Sequence, residues 1–153
     1  MNRYSMRLPV ITACLAAVLS ASAFTASEPL KAIIASYLQI HAKLVTDKTD
    51  GIKAPAEAIV KRAQAMGPGG EKIAKAAAAV GAAGDLKAAR DAFGGLSDAV
   101  IAAAQAEGPA TLKELGARLA FCPMVNRSWV QTDEKLRNPY YGSLMLECGE
   151  FKK

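Results

Sequence analysis

The residues best suited to chemistry lie near the C-terminal end of the chain, where two cysteines each stand close to a methionine. Pro123 separates Cys122 from Met124, and two residues separate Met145 from Cys148. Residues two positions apart in an extended segment share a face, so Cys122 and Met124 are expected to point the same way. Two thiolates and two thioethers form a soft donor set, which selects Cu(I) and by extension Ag(I). The spacing matches no pair of Cys-x-x-Cys motifs of the kind that binds zinc.

The same two cysteines also suit a disulfide. The third cysteine, Cys14, lies in an N-terminal segment that we expect to be removed, which leaves Cys122 and Cys148 as a pair. Export favours disulfides, and closing this loop would stabilise the fold by about 3–4 kcal/mol in the chain-entropy model. Spacing alone leaves two interpretations open, a structural disulfide with the methionines as core filler or a reduced metal site, and the two forms could alternate.

The chain has one histidine, His41, on the apolar stripe of the first predicted helix. A lone histidine in that position is typically a hydrogen-bonded core residue, and it becomes a metal ligand only if the C-terminal segment folds over this helix. The sequence contains no nucleophile elbow, no His-Glu-x-x-His motif and no glycine-rich nucleotide fingerprint. We therefore expect no enzymatic activity.

The N-terminus has the pattern of a secretory signal. Arg3 and Arg7 precede the apolar run Leu8–Leu19, and small residues follow it. This order predicts a signal peptide over residues 1–23, with cleavage after Ala23 and Ala26 as the alternative. The mature protein is therefore predicted to be exported, and a bacterial periplasm fits the signal best.

The charge and the hydropathy of the remaining chain argue against nucleic-acid binding and against a membrane span. Of 19 basic residues only two lie in the predicted signal, so the mature chain keeps a slight basic excess over its 14 acidic residues. It has no run of lysine and arginine like those of nucleic-acid-binding arms. No later apolar stretch reaches the roughly 18 residues of a membrane span. We expect neither nucleic-acid binding nor a membrane span after cleavage.

Apolar residues at three- and four-residue spacing predict four helices, at about 30–45, 52–66, 72–80 and 86–106. Asp85 is the predicted N-cap of the last one. Gly94 and Gly95 lie inside that helix, which indicates the close approach of a neighbouring helix. Alanine-rich faces pack helices closely, so we predict an all-α, antiparallel four-helix bundle in a single domain over residues 28–150.

The segment 118–150 interrupts the helical pattern. It contains the Cys/Met motif, and its aromatic residues are candidates for holding it against the helices: Trp129, Tyr140 and Tyr141. We predict an irregular, partly extended C-terminal tail packed on the bundle.

This tail carries a resemblance. Phe-Cys-Pro-Met, then a tryptophan, then Asn-Pro-Tyr-Tyr-Gly-Ser-Leu-Met-Leu and Cys-Gly resemble a bacterial domain-of-unknown-function family. Its members occur as free-standing exported proteins and as domains appended to HlyD-like membrane-fusion subunits of copper/silver efflux systems. The helical segments around Tyr37–His41 and Ala89–Arg90 are also similar to the family pattern.

The resemblance implies a periplasmic helical module associated with copper or silver handling. It carries four positions over as candidate ligands: Cys122, Met124, Met145 and Cys148. The hairpin and barrel of an adaptor are missing from this sequence, which favours a small accessory or carrier protein. Its expected partner is a heavy-metal efflux membrane-fusion protein or another periplasmic copper protein. The alternative is a non-catalytic, disulfide-clasped interaction module of an efflux or envelope system.

Overall fold

The computed structural model describes residues 27–152. The predicted signal peptide and both cleavage positions, Ala23 and Ala26, lie outside the described residues. The described chain has helices α1 to α5, two 3₁₀ turns and strands β1 to β3. Their bounds are α1 Glu28–Leu44, α2 Lys53–Ala65, the turn Gly67–Gly70, α3 Glu71–Gly81, α4 Leu86–Glu107, α5 Thr111–Glu114, β1 Arg118–Cys122, β2 Arg127–Gln131, the turn Gly142–Leu144 and β3 Glu150–Phe151.

The four predicted helices are confirmed as α1 to α4. Asp85 caps α4 as expected, since its side chain accepts a hydrogen bond from the N–H of Ala88 at 2.8 Å. The chain turns sharply between α2 and α3 because Gly70 has no side chain. A Cβ at Gly70 would lie 1.9 Å from the carbonyl oxygen of Ala63, a distance that no other residue could accept.

Helices α1 to α4 enclose the larger part of the core. Each packs against the next along the chain, and α1 also contacts α4. The largest fully buried aliphatic side chains come from these helices: Leu30, Ile33, Ile40, Leu44, Ile59, Ile73, Val80 and Leu96. Burying a side chain of this size stabilises the fold by about 1.5–3 kcal/mol. Among residues 27–152, no helix combines the length and the apolar character needed to cross a membrane.

The prediction of an all-α four-helix bundle with an irregular tail is wrong, because the tail forms a sheet. The three strands are antiparallel, in the order β2-β1-β3. The described chain is therefore a mixed α/β structure with a small sheet. The sheet forms because fully buried residues, Ala120 and Cys122, alternate with partly buried ones along β1, which is the pattern of a strand with one face on a core. Asn126, at φ 50°, lies in the turn that joins β1 to β2.

The glycine pair in α4 also has a different cause from the one predicted. The atoms nearest to Gly94 come not from a helix but from the side chain of Arg127 in β2. A Cβ at Gly94 would lie 2.9 Å from the guanidinium carbon of Arg127. Arg127 then donates a hydrogen bond to Asp98 at 2.8 Å. The small residue at Gly94 therefore leaves room for the Arg127 side chain, which lets β2 pack against α4.

A row of four aromatic rings joins the helices to the sheet. Tyr37 of α1 stacks on Phe93 of α4 with ring centroids 4.7 Å apart. Phe93 then meets Tyr140 at 6.3 Å, and Tyr140 meets Trp129 of β2 edge-on at 6.0 Å. Such pairs contribute about 0.5–1.5 kcal/mol each beyond their buried area. We name Tyr37, Phe93, Tyr140 and Trp129 the aromatic row.

The two tyrosines of the aromatic row also bond to the backbone of β2. The hydroxyl of Tyr37 accepts the N–H of Val130 at 3.2 Å and shares a hydrogen bond with Ser97 at 2.7 Å. The hydroxyl of Tyr140 donates to the carbonyl of Ser128 at 2.6 Å. These bonds satisfy buried polar groups that would otherwise cost about 1–3 kcal/mol each.

A second connection fastens the tail to the end of α1 through charge. Arg90 of α4 donates to the carbonyl of Pro139 at 2.9 Å and forms an ion pair with Asp47. Asp47 in turn accepts hydrogen bonds from the N–H and the hydroxyl of Ser143. Gly142, at φ 56°, leaves the space for this pair, because a Cβ there would lie 2.0 Å from the Asp47 carboxylate.

Trp129→Ala should lower the free energy of unfolding by about 3–5 kcal/mol, because the ring is fully buried between the sheet and Tyr140. Urea denaturation followed by circular dichroism measures the loss. Leu144→Ala is the control, since Leu144 is 82% exposed and surface changes usually stay within about 0.5 kcal/mol. Equal losses for the two variants would contradict the anchoring role of Trp129.

Stability should depend on pH through Asp47. Hydrogen bonds from Ser143, and then Arg90, hold the pKa of Asp47 below its ordinary value. A carboxyl whose pKa falls on folding stabilises the fold above its unfolded pKa of about 3.9, and this contribution is lost as the pH falls through the lowered folded pKa. Asp47→Asn keeps a residue type that tolerates the positive φ of this position.

The variant should therefore be less stable than the wild type at neutral pH, and the difference should shrink as the pH falls below about 4. Urea denaturation of both proteins across that range measures it. A difference that stays constant with pH would mean that the Asp47 charge contributes nothing.

Candidate functional site

Cys122 is the last residue of β1 and its side chain is fully buried. Alternation along the strand places Ala120 and Cys122 on the core side, with Phe121 half-buried between them. Pro123 cannot donate a ladder hydrogen bond, and the strand ends before it. The turn that follows carries Met124 to the surface, where it is 60% exposed. The extended conformation that was expected through Met124 therefore stops at Cys122.

Cys148 lies in the irregular segment between the second 3₁₀ turn and β3. Both its backbone N–H and its backbone carbonyl are hydrogen-bonded. Its N–H donates to the carbonyl of Met145 at 3.1 Å. Its carbonyl accepts a hydrogen bond from the side-chain amide of Asn138 at 2.8 Å. These bonds fold this part of the predicted, partly extended tail into consecutive turns.

Asn138 is the residue that fixes the position of Cys148. It is fully buried, and its backbone N–H donates to the carbonyl of Leu146 at 2.7 Å. Its side-chain oxygen accepts the N–H of Tyr140 at 2.9 Å. Its backbone carbonyl accepts the N–H of Gly142 at 3.0 Å. A buried amide with all its groups paired has one orientation, so the Cys148 carbonyl is fixed with it.

Gly149 brings Cys148 against the sheet. It has φ 138°, and a Cβ there would lie 2.6 Å from the carbonyl oxygen of Phe121 and 3.0 Å from the ring of Trp129. Only glycine lets the chain pass this close to β1. Directly after it, Glu150 pairs with Phe121 as β3 joins the edge of β1.

This arrangement brings three of the four predicted sulfur atoms together. The Sγ atoms of Cys122 and Cys148 are 4.0 Å apart, and Cys148 Sγ lies 3.7 Å from Met124 Sδ. We call Cys122, Cys148 and Met124 the three-sulfur group. Exposure increases along it, from the buried Cys122 through the half-buried Cys148 to the exposed Met124. Within residues 27–152, the sulfur atom of Met145 takes no part in these contacts. Its backbone carbonyl instead accepts a hydrogen bond from the N–H of Cys148.

Removal of solvent, and then the neighbouring Cys122 thiol, raise the pKa of Cys148. The neutral thiol is therefore favoured at neutral pH, and two adjacent thiolates would repel each other. A bound cation would reverse this preference, because metal ions stabilise coordinated thiolates. Metal binding at this group should consequently release protons.

His41 lies outside the three-sulfur group and has a structural partner. It is buried, and its Nε2 lies 2.8 Å from the carbonyl oxygen of Arg137. A carbonyl can only accept, so Nε2 carries the proton. Burial lowers the pKa of His41, which favours this neutral form. The ring thus joins α1 to the segment that leads to Asn138.

The donor types limit what the site can do. In the part of the chain that the structure describes, no three residues among His, Cys, Asp and Glu converge to form a metal-binding cluster. The three-sulfur group has two thiols and a thioether, which suit a soft monovalent ion or thiol–disulfide chemistry. Binding of a soft ion and formation of a disulfide use the same two cysteines and therefore exclude each other.

Sequence reasoning missed the residues that position the sulfur atoms. Asn138 and Gly149 entered the sequence analysis only as members of the tail motif, with no role of their own. Gln131 was not singled out, although it is fully buried and its side-chain oxygen accepts hydrogen bonds from Trp129 at 2.8 Å and Arg137 at 3.0 Å. The sequence signal that could have drawn attention to it is an amide side chain directly after the apolar pair Trp129-Val130.

Comparisons of this chain with protein-family profiles, with curated proteins and with solved structures find no significant match.

Gly149→Ala should destabilise the protein by about 1–3 kcal/mol, because the new methyl group meets the Phe121 carbonyl and the backbone is in a region that favours glycine. Cys148 should also react faster with an alkylating reagent as the segment moves off β1. Urea denaturation and the alkylation rate measure the two effects. Gly84→Ala is the matched control, since a Cβ at Gly84 meets nothing within 4 Å. If both variants behave alike, Gly149 does not hold Cys148 in place.

Proposed function

We propose that this protein is an exported accessory or carrier protein that binds one soft monovalent ion, Cu(I) or Ag(I), at the three-sulfur group. The observation that carries the proposal is the pair of contacts through Cys148, at 4.0 Å to the Cys122 sulfur and 3.7 Å to the Met124 sulfur. Cys148 meets Cys122 and Met124, which lie 26 and 24 residues before it in the sequence, and the three form the donor combination that soft ions prefer.

The distances suit a shared ion. A metal–thiolate bond is about 2.3 Å long for zinc, so two sulfur ligands of one such ion lie at most about 4.6 Å apart. Both sulfur–sulfur distances, 4.0 Å and 3.7 Å, are shorter than this limit. The thiolates would supply charge and affinity, while Met124 would add a neutral ligand that weakens the preference for harder ions. Met145 is not required by this arrangement.

The exposure of the group suits a carrier. Met124 is 60% exposed while Cys122 is fully buried, so an ion held between them is approached from the Met124 side. A partner with its own sulfur ligands could take the ion by replacing the thioether first. The tail resemblance and the signal-like N-terminus support periplasmic export and a partner of one of two kinds, a membrane-fusion protein of a copper/silver efflux system or another periplasmic copper protein.

The second candidate function is a non-catalytic interaction module clasped by a Cys122–Cys148 disulfide. The 4.0 Å separation favours it as well, since a side-chain movement of about 2 Å would bring the sulfurs to bonding distance. The bond would fasten the end of β1 to the segment before β3. Because disulfide and metal need the same sulfurs, the reduced protein distinguishes the two functions.

The reduced protein should bind one equivalent of Cu(I) in competition with a weak chromophoric Cu(I) chelator. Cys122→Ser with Cys148→Ser should abolish binding, because both thiolates are lost. Met124→Leu should weaken it while preserving side-chain volume. Met66→Leu is the matched control and should bind like the wild type, and Met145→Leu tests whether a fourth sulfur takes part.

His41→Ala should lower the free energy of unfolding by more than it lowers the free energy of Cu(I) binding. The reason is that the hydrogen bond between His41 and the Arg137 carbonyl is structural. If the reduced wild type leaves all the Cu(I) on the chelator, the carrier function is wrong. The disulfide-clasped module would then be the function to test.

A further inference from the structure

The exposed member of the three-sulfur group is a thioether, and this decides which sulfur an oxidant meets first. Met124 is 60% exposed, whereas Cys122 is fully buried. A thioether reacts without losing a proton, but thiols react as thiolates. Cys148 is only half-buried but lies between Met124 and Cys122 and is less exposed than Met124. A small oxidant in solution should therefore attack Met124 before either cysteine.

We propose that the three-sulfur group is an oxidation relay, in which Met124 accepts an oxygen atom and Cys148 and Cys122 reduce it again by forming a disulfide. The oxidant is of the two-electron, oxygen-transferring class, such as hypochlorous acid or a peroxide. Met124 is thus a modification site whose sulfoxide is transient. The relay operates in the reduced, metal-free protein, so it does not depend on the proposed Cu(I) site.

The steps balance. In the first, the oxidant transfers one oxygen atom to Met124 Sδ, which is oxidised to a sulfoxide while the oxidant is reduced by two electrons. In the second, Cys148 Sγ attacks the sulfoxide sulfur; a sulfur–sulfur bond forms, the sulfur–oxygen bond breaks, and the oxygen leaves as water with the protons of the two thiols. In the third, Cys122 Sγ attacks Cys148 Sγ, which forms the disulfide and releases Met124 as a thioether.

The order of the contacts matches the order of these steps. Cys148 lies between the other two sulfurs, 3.7 Å from Met124 and 4.0 Å from Cys122. Its S–H donates to Met124 Sδ, so its proton is close to the atom that gains the oxygen. Reduction of a sulfoxide by free thiols requires encounters between separate molecules, whereas here the reacting atoms are held in contact, which raises their effective concentration greatly. The burial of Cys122 keeps the second thiol reduced until it is needed.

The experiment treats the reduced, metal-free protein with one equivalent of hypochlorite, stops the reaction with an alkylating reagent at successive times, and maps the peptides by mass spectrometry. In the wild type the Cys122–Cys148 disulfide should form while Met124 returns to the thioether. Met66 lies at the end of α2, remote in sequence from both thiols, and its sulfoxide should persist.

Two variants separate the relay from direct thiol oxidation. In Cys122→Ser the second thiol of the pair is missing, so the Cys122–Cys148 disulfide cannot form and Met124 sulfoxide should accumulate. In Met124→Leu the disulfide should form about tenfold more slowly, because the contact that delivers the oxidising equivalent is lost. Met66→Leu should leave the rate unchanged.

Either of two results would overturn the proposal. One is a disulfide that forms as fast in Met124→Leu as in the wild type, which would mean that the thiols are oxidised directly. The other is a wild type in which Met124 sulfoxide persists beside two free thiols, which would mean that no transfer occurs. Neither result depends on Cu(I), so failure of the relay and failure of the carrier function are distinguishable.

Discussion

The aromatic row is the contact on which the other features depend. Tyr37 and Phe93 belong to α1 and α4, whereas Tyr140 and Trp129 come from the C-terminal segment, so the row is the place where helices and sheet share one core. The sheet needs support from the helices, because β3 has only two residues and little more than a two-stranded hairpin remains, which is marginally stable alone. The helices supply the missing apolar surface. The ring of Trp129 in β2 also lies next to Gly149, at the point where the chain passes β1.

The position of the three-sulfur group depends indirectly on the aromatic row. None of its three sulfur atoms belongs to a helix, and each is placed by backbone that the row and the Asp47–Arg90 pair hold down. Asn138 connects the two regions, since it bonds to Tyr140 on one side and to Cys148 on the other. Loosening the tail anywhere along this path should change the distance between the cysteines before it unfolds the helices.

The sequence predicted the helices well because their signals are local: apolar spacing of three and four residues, an Asp85 cap and a glycine-rich stop. It also grouped Cys122, Met124, Met145 and Cys148 from their types alone, and the structure brings the sulfurs of all but Met145 together. The sheet was missed because strands β2 and β3 have five and two residues and depend on contacts with β1. Gly94 shows the same limit, since a small residue indicates that something comes close but does not say that it is Arg127.

The tyrosine hydroxyls of the row have one consequence for the protein's behaviour in concentrated solution. Strand β2 is at the edge of the sheet, and edge strands are templates for pairing with a strand of another molecule. Its Ser128 carbonyl and Val130 N–H are already bonded to Tyr140 and Tyr37. An incoming strand would find those groups taken, and the opposite edge offers only the two residues of β3. Tyr37 and Tyr140, which build the core, therefore also hinder fibril growth and strand exchange between copies.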